Sequence, residues 1–144
     1  MATNGPIMLI DDDEDDQYLI RSILKDLNVR NELRLFENGQ QAVDYLLVTE
    51  DKPLIILCDI NMPIMNGLEL RDTIDGNPYL KKKAIPFVFM STSANKSLIS
   101  KAYASTIQGF YKKEHDYELF KVYINLIINY WKSCLHPNNI LEKL

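Results

Sequence analysis

Residues 55–70 read IILCDINMPIMNGLEL. An apolar run from Leu54 to Cys58 follows Pro53 and ends on a carboxylate, Asp59. A short, continuous apolar run bounded by turn signals has the form of a strand buried on both faces of a parallel sheet. Asn66-Gly67 then turns the chain into a helical pattern carrying Leu68, Leu70 and Ile74. The stretch reads as strand, acid, turn, helix.

The same order recurs on either side. Ile7 to Ile10 is a second apolar run, followed by the acidic run Asp11 to Asp16. Tyr18, Leu19, Ile23, Leu24 and Leu27 recur at helical spacing, which predicts a helix over about residues 14–28. Leu33 to Phe36 reads as a strand, Asn38-Gly39 as a turn, and Ala42, Val43, Leu46 and Leu47 as a helix face. Gly76, Asn77 and Pro78 stop the helix that begins after Asn66. Pro86 opens a strand over Phe87 to Met90, with a helix over about 94–105. Gln108 to Tyr111 is a short strand, Tyr117 to about Lys132 a helix, and Pro137 ends any continuation. Strand–helix alternation predicts an α/β fold, a five-stranded parallel sheet with five helices on both faces. In such sheets reactive residues gather at the carboxyl ends of the strands.

Composition narrows the function. The chain has 144 residues and a net charge of −4, with no basic stripe, which argues against direct nucleic-acid binding. Cys58 and Cys134 are far apart and outside any metal-spaced motif, so they read as free thiols of a reducing cytosol. Met1 to Pro6 lacks a signal-peptide pattern, and no apolar run approaches the roughly 18 residues that span a bilayer. The expectation is a cytoplasmic chain with no membrane contact. It would be one domain over 1–144, with its core at about 6–132 and a tail at 133–144.

The strand ends carry the chemistry. Asp11 and Asp12 close the first strand and Asp59 the third. Brought together, these carboxylates would repel and raise one another's pKa, and a hard divalent cation bound through oxygen would resolve the conflict. Asp13 to Asp16 read as acids capping a helix N-terminus. A calcium loop fails here, because its sixth position is Asp16 rather than Gly and its twelfth is Ser22 rather than Glu. Ser91, Thr92 and Ser93 end the fourth strand, and Lys112 and Lys113 the fifth. A hydroxyl, a lysine, a metal and an acceptor carboxylate are what a transferred phosphoryl group needs, since its charge spreads over equatorial oxygens.

The segments IMLIDDDEDD (7–16), IILCDINMPIMNGLEL (55–70), IPFVFMSTSA (85–94) and QGFYKK (108–113) resemble the receiver domain of two-component response regulators, the CheY-like family. The resemblance runs from Ile7 to about Trp131 and implies strand order 2-1-3-4-5. It implies Asp59 as phosphoacceptor, with Mg²⁺ held by Asp11, Asp12, Asp59 and the backbone carbonyl of Asn61. Ser91, with Thr92 as the alternative hydroxyl, and Lys113 would contact the phosphoryl group. Ser91 and Phe110 would form the switch. The implied partners are a sensor histidine kinase and a downstream protein. Glu114 stands where most members of the family carry proline, so the loop after Lys113 is expected to be built differently. With the STS segment and the terminal Tyr130-Trp131, this looks similar to the single-domain regulators that accompany bacterial phytochrome kinases.

Two other readings compete. One is a pseudo-receiver, an interaction module without phosphotransfer. The other is a phosphohydrolase of a different doubly wound fold; such enzymes usually carry a second acid where Asn61 stands, and a cap domain for which the chain has no room. Under the leading reading the chain is no separate enzyme and catalyses only its own phosphorylation and dephosphorylation. No output domain would follow the final helix. That helix is apolar over most of its circumference, with Glu118, Lys121, Asn125, Asn129 and Lys132 as its polar stripe. The surplus is expected to be covered by the tail, through Ile140, Leu141 and Leu144, or by a second copy in a homodimer through the helix over 94–105, the fifth strand and the final helix.

Overall fold

The computed structural model describes residues 2–139. Five short strands form one parallel sheet: β1 (Ile7–Ile10), β2 (Leu33–Phe36), β3 (Ile55–Cys58), β4 (Phe87–Ser91) and β5 (Gly109–Lys112). Their order is β2-β1-β3-β4-β5. The helices are α1 (Glu14–Asp26), α2 (Gly39–Val48), α3 (Gly67–Gly76), α4 (Pro78–Lys82), α5 (Lys96–Tyr103) and α6 (Tyr117–Ser133). Every residue of β1, β3 and β4 is buried, as parallel strands covered on both faces must be.

Side chains alternate between two cores. Met8, Ile10, Ile56, Cys58, Phe87 and Phe89 face α2, α3 and α5. Ile7, Leu9, Ile55, Leu57, Val88 and Met90 face α1 and α6. Each helix begins on an Asp or Asn whose side chain accepts a backbone N–H of the first turn: Asp13, Asn38, Asn66, Asn77, Asn95 and Asp116. Such caps satisfy otherwise orphaned donors. The caps of α1 and α3 lie just beyond Asp11 and Asp59 in the chain, so the turns around these acids are fixed at one end by the sheet and at the other by a cap.

The structure corrects the sequence reading in two places. Pro78 does not simply stop a helix. Asn77 ends α3 and caps the short α4, with Pro78 at its first position, where a missing N–H costs nothing. The fold therefore has six helices rather than five. The fifth strand runs over Gly109–Lys112, one residue later than expected, with the Gln108 N–H already donating to Phe87 O of β4 at its entrance. As expected for a loop in which Glu114 replaces proline, Lys113–Glu114 is an ordinary trans link, and no described peptide bond is cis.

The segment after α6 packs back on the domain at least as far as Asn139. Asn139 Oδ1 accepts the Ala2 N–H at 2.7 Å, and Asn138 Nδ2 donates to Lys83 O at 2.9 Å. His136 is fully buried, edge-on to Trp131. Its Nδ1 accepts the Asn138 N–H at 3.1 Å, so Nε2 carries the proton and donates to Leu54 O at 2.8 Å. The expected cover by Ile140, Leu141 and Leu144 lies outside the described residues.

Burial holds the His136 imidazole below its ordinary range, so the neutral ring is the folded form. Between the folded value and the unfolded value of about 6.5, the unfolded chain binds a proton that the folded chain refuses. The histidine's contribution is therefore fully present above about pH 6.5 and is lost as pH falls through the lowered folded value. His136→Gln should cost on the order of 1 kcal/mol for one impaired buried hydrogen bond. Its melting temperature should also fall less than that of the wild type between about pH 7.5 and pH 5.5. Equal falls would contradict this assignment.

Candidate functional site

Sheet register delivers the site residues in pairs. Ile10 and Cys58 are partners across β1 and β3, so Asp11 and Asp59 leave the sheet side by side. The Asp59 N–H donates to Ile10 O at 2.9 Å and fixes that exit. Ser91 and Lys112 are partners across β4 and β5, and Lys113 leaves next, its N–H donating to Ser91 O at 2.9 Å. Asp12 stands exposed beside the buried Asp11.

Carboxylate oxygens of Asp11, Asp12 and Asp59 all lie within 4.8 Å of one another. The donors are all hard oxygens at an open strand end. That set fits a hard divalent cation which retains several waters, and does not resemble the nitrogen- and sulfur-rich sites of zinc or copper. Asn61 lies in the exposed turn just past Asp59.

Lys113 is buried and reaches into this cluster. Its Nζ lies 2.8 Å from Asp11 Oδ2, 2.7 Å from Asp16 Oδ2 and 3.4 Å from Asp59 Oδ2. Burial alone would lower its pKa, but the hydrogen bonds to Asp11 and Asp16 outweigh it and hold the ammonium above its ordinary range. Burial pushes Asp11 up to about 6 despite the ammonium beside it, and raises Asp59 as well. The Ile60 N–H donates to Asp59 Oδ1 at 2.8 Å, which leaves Oδ2 as the oxygen facing Lys113.

Ser91 is fully buried and its Oγ accepts the Ser93 N–H at 3.2 Å, whereas Thr92 is exposed. Phe110 is half-buried on β5, its ring 6.3 Å from that of Phe89. The turn after Asp59 is tight. Met65 N–H donates to Pro63 O at 2.7 Å around Ile64, which takes φ 66°. Gly67 N–H returns to Ile60 O at 2.9 Å.

Asp16 was not among the expected site residues. Asp13 is the α1 cap, accepting from the N–H groups of Asp15 and Asp16 at 2.8 and 3.3 Å. The Asp16 side chain instead turns to Lys113. Side chains in a helix lean toward its N-terminus, so an acid one turn in can lie over the strand ends. The length of the charge run hid that difference between neighbours.

The profile of the family described as "Response regulator receiver domain" matches residues 7–125. The response regulator Rcp1 of Synechocystis sp. is 29% identical over 131 residues, which cover 87% of each chain. The structure of the phosphorylated cyanobacterial phytochrome response regulator RcpA superposes with a TM-score of 0.83 at 27% identity, covering 93% of this chain and 99% of that one. The Mn²⁺-bound form of Rcp1 gives a TM-score of 0.77 at 26% identity, covering 91% and 96%. The chain belongs to the response regulator receiver domain family, and its fold is the CheY-like one. Its similarity to Rcp1 and RcpA sets it beside the phytochrome response regulators of two-component signalling.

Gly67 tests how tightly the turn after Asp59 is built. A Cβ there would lie 2.3 Å from Asp59 O and 2.8 Å from Phe89 Cε1. Gly67→Ala should cost about 1–3 kcal/mol in urea unfolding, the usual penalty of overpacking. A cost near zero would mean the turn yields easily.

Proposed function

We propose that this domain takes a phosphoryl group from a sensor histidine kinase onto Asp59 Oδ2, and that phosphorylation changes which protein it binds. The observation that carries this reading is the arrangement around Oδ2. Its companion oxygen is held by the Ile60 N–H, and the buried Lys113 ammonium stands 3.4 Å away. Oδ2 forms the new bond to phosphorus, and the donor's P–N bond breaks with its electron pair returning to the imidazole nitrogen, which takes up a proton. Lys113 and the Ser91 hydroxyl stabilise charge on the phosphoryl oxygens. Asp11, Asp12, Asp59 and the backbone carbonyl of Asn61 would hold Mg²⁺, which supplies further positive charge to those oxygens. The Mn²⁺-bound form of Rcp1 supports a divalent ion here.

Catalysis by the domain is limited to its own phosphorylation and dephosphorylation. Residues 1–144 act as one receiver domain in the cytoplasm. The free thiols Cys58 and Cys134 support a reducing compartment, and no helix among the described residues is long and apolar enough to cross a membrane. A histidine kinase and a downstream protein are its partners, without nucleic acid or membrane. On phosphorylation, Ser91 Oγ leaves the Ser93 N–H for the phosphoryl group, and Phe110 follows into the space vacated. That biases the surface of α5, β5 and α6 between two states. On α6, Val122, Leu126 and Tyr130 are 52%, 57% and 61% exposed and fall on one face, which supports a second copy of the chain as its cover.

Acetyl phosphate with Mg²⁺ should add the mass of one phosphoryl group to the wild type and none to Asp59→Asn. Normal labelling of the folded Asn variant would overturn the acceptor, and an unlabelled wild type would indicate a pseudo-receiver. Mg²⁺ at about ten times its Kd should stabilise the fold by about 1.4 kcal/mol, and Asp12→Ala should remove most of that gain. An equal gain in both would place the ion elsewhere. Sedimentation at micromolar concentration should show a dimer that Val122→Glu with Leu126→Glu weakens. A strict monomer, phosphorylated or not, would exclude the dimer.

A further inference from the structure

We propose that Asp16 is a positioning residue that holds Lys113 back from Asp59 and so weakens the domain's grip on a bound phosphoryl group. The inference rests on the acceptor role proposed for Asp59.

An ammonium has three N–H donors. Here Asp11 and Asp16 take contacts of 2.8 and 2.7 Å, the lengths of charge-assisted hydrogen bonds. Asp59 Oδ2, at 3.4 Å, lies outside that range. The ammonium is therefore displaced toward α1, the helix that carries Asp16, and away from the acceptor. Asp16 also stands outside the group of acids whose oxygens converge closely enough to hold a cation, Asp11, Asp12 and Asp59. Its backbone N–H belongs to the Asp13 cap, while its side chain binds Lys113. Losing Asp16 would not remove a metal ligand or the helix cap.

A phosphoryl group brings strong acceptor oxygens that need the same ammonium. Whatever interaction Lys113 has with Asp16 in the resting state, and gives up or shares on phosphorylation, is subtracted from the affinity for the phosphoryl group. Asp16 is thus a built-in competitor that favours the unphosphorylated state. Its negative charge also repels an incoming anion directly, and that effect has the same sign. The two are separable, because only competition requires Lys113.

Beryllofluoride, a non-covalent phosphoryl mimic, can be titrated calorimetrically into the full chain at saturating Mg²⁺. Asp16→Asn should tighten its Kd about three- to ten-fold, part of one charge-assisted hydrogen bond. Asp16→Ala should act in the same direction, and Asp16→Glu should restore binding near that of the wild type. In a Lys113→Met background, Asp16→Asn should tighten the Kd by less than about two-fold, the part that direct repulsion contributes. Unchanged or weaker binding by Asp16→Asn and Asp16→Ala would overturn the proposal, as would an equal gain in the Lys113→Met background. A wild type that binds no beryllofluoride would overturn the acceptor reading itself. A wild type that binds it, with Asp16 variants indistinguishable, would overturn only the role of Asp16.

Discussion

The Lys113 ammonium, drawn in among Asp11, Asp16 and Asp59, is the interaction on which the rest of the site depends. Taking carboxylates out of water costs several kcal/mol each unless a partner offsets it. Burial already drives Asp11 toward its protonated form and raises Asp59. The ammonium is what keeps ionised oxygens available at a strand end otherwise crowded with negative charge. That need makes the β5 exit as important as the exits of β1 and β3. A slip of one residue in β5 would send the Lys113 side chain to the opposite face.

Short strands suit this demand. β1, β3 and β4 are buried along their whole length, so their register is set by packing on both faces. Asp11 and Asp59 stand one residue beyond that rigid part, in turns that end on the helix caps Asp13 and Asn66, while Ser91 is the last residue of β4. The acids are thus held by a stiff frame, Asp11 buried and Asp12 exposed to water beside it, a common division between scaffold and functional loop. Gly67 shows how little slack remains, since even a methyl group would press on the carbonyl of Asp59.

Much of this was legible from local pattern. The apolar runs ending at Asp11 and Asp59 identified the strands, their parallel arrangement and the convergence of carboxylates, because burial on both faces leaves a continuous apolar signature. The fifth run offered Lys112 and Lys113 alike, and only the resemblance to receiver domains singled out Lys113. Asp16 was not, because its role depends on one side chain in an acidic run turning from the cap toward a lysine 97 residues away. Pro78 misled for a related reason: proline forbids continuation of one helix yet suits the first position of another. His136, Asn138 and Asn139 looked like tail because their partners, Leu54, Lys83 and Ala2, are remote in sequence. Polar residues buried by long-range hydrogen bonds leave no periodic trace.

Under the proposed function, phosphorylation of Asp59 would act on the apolar face of α6 by way of Ser91 and Phe110. Reductive trapping tests the role of Asp59 most directly. Borohydride reduces an aspartyl phosphate to homoserine, and peptide mapping then locates the modified residue. After treatment with a phosphodonor and Mg²⁺, the account requires homoserine at position 59 and nowhere else. Homoserine at position 11, 12 or 16 instead, or none in a chain that remains folded, would contradict it.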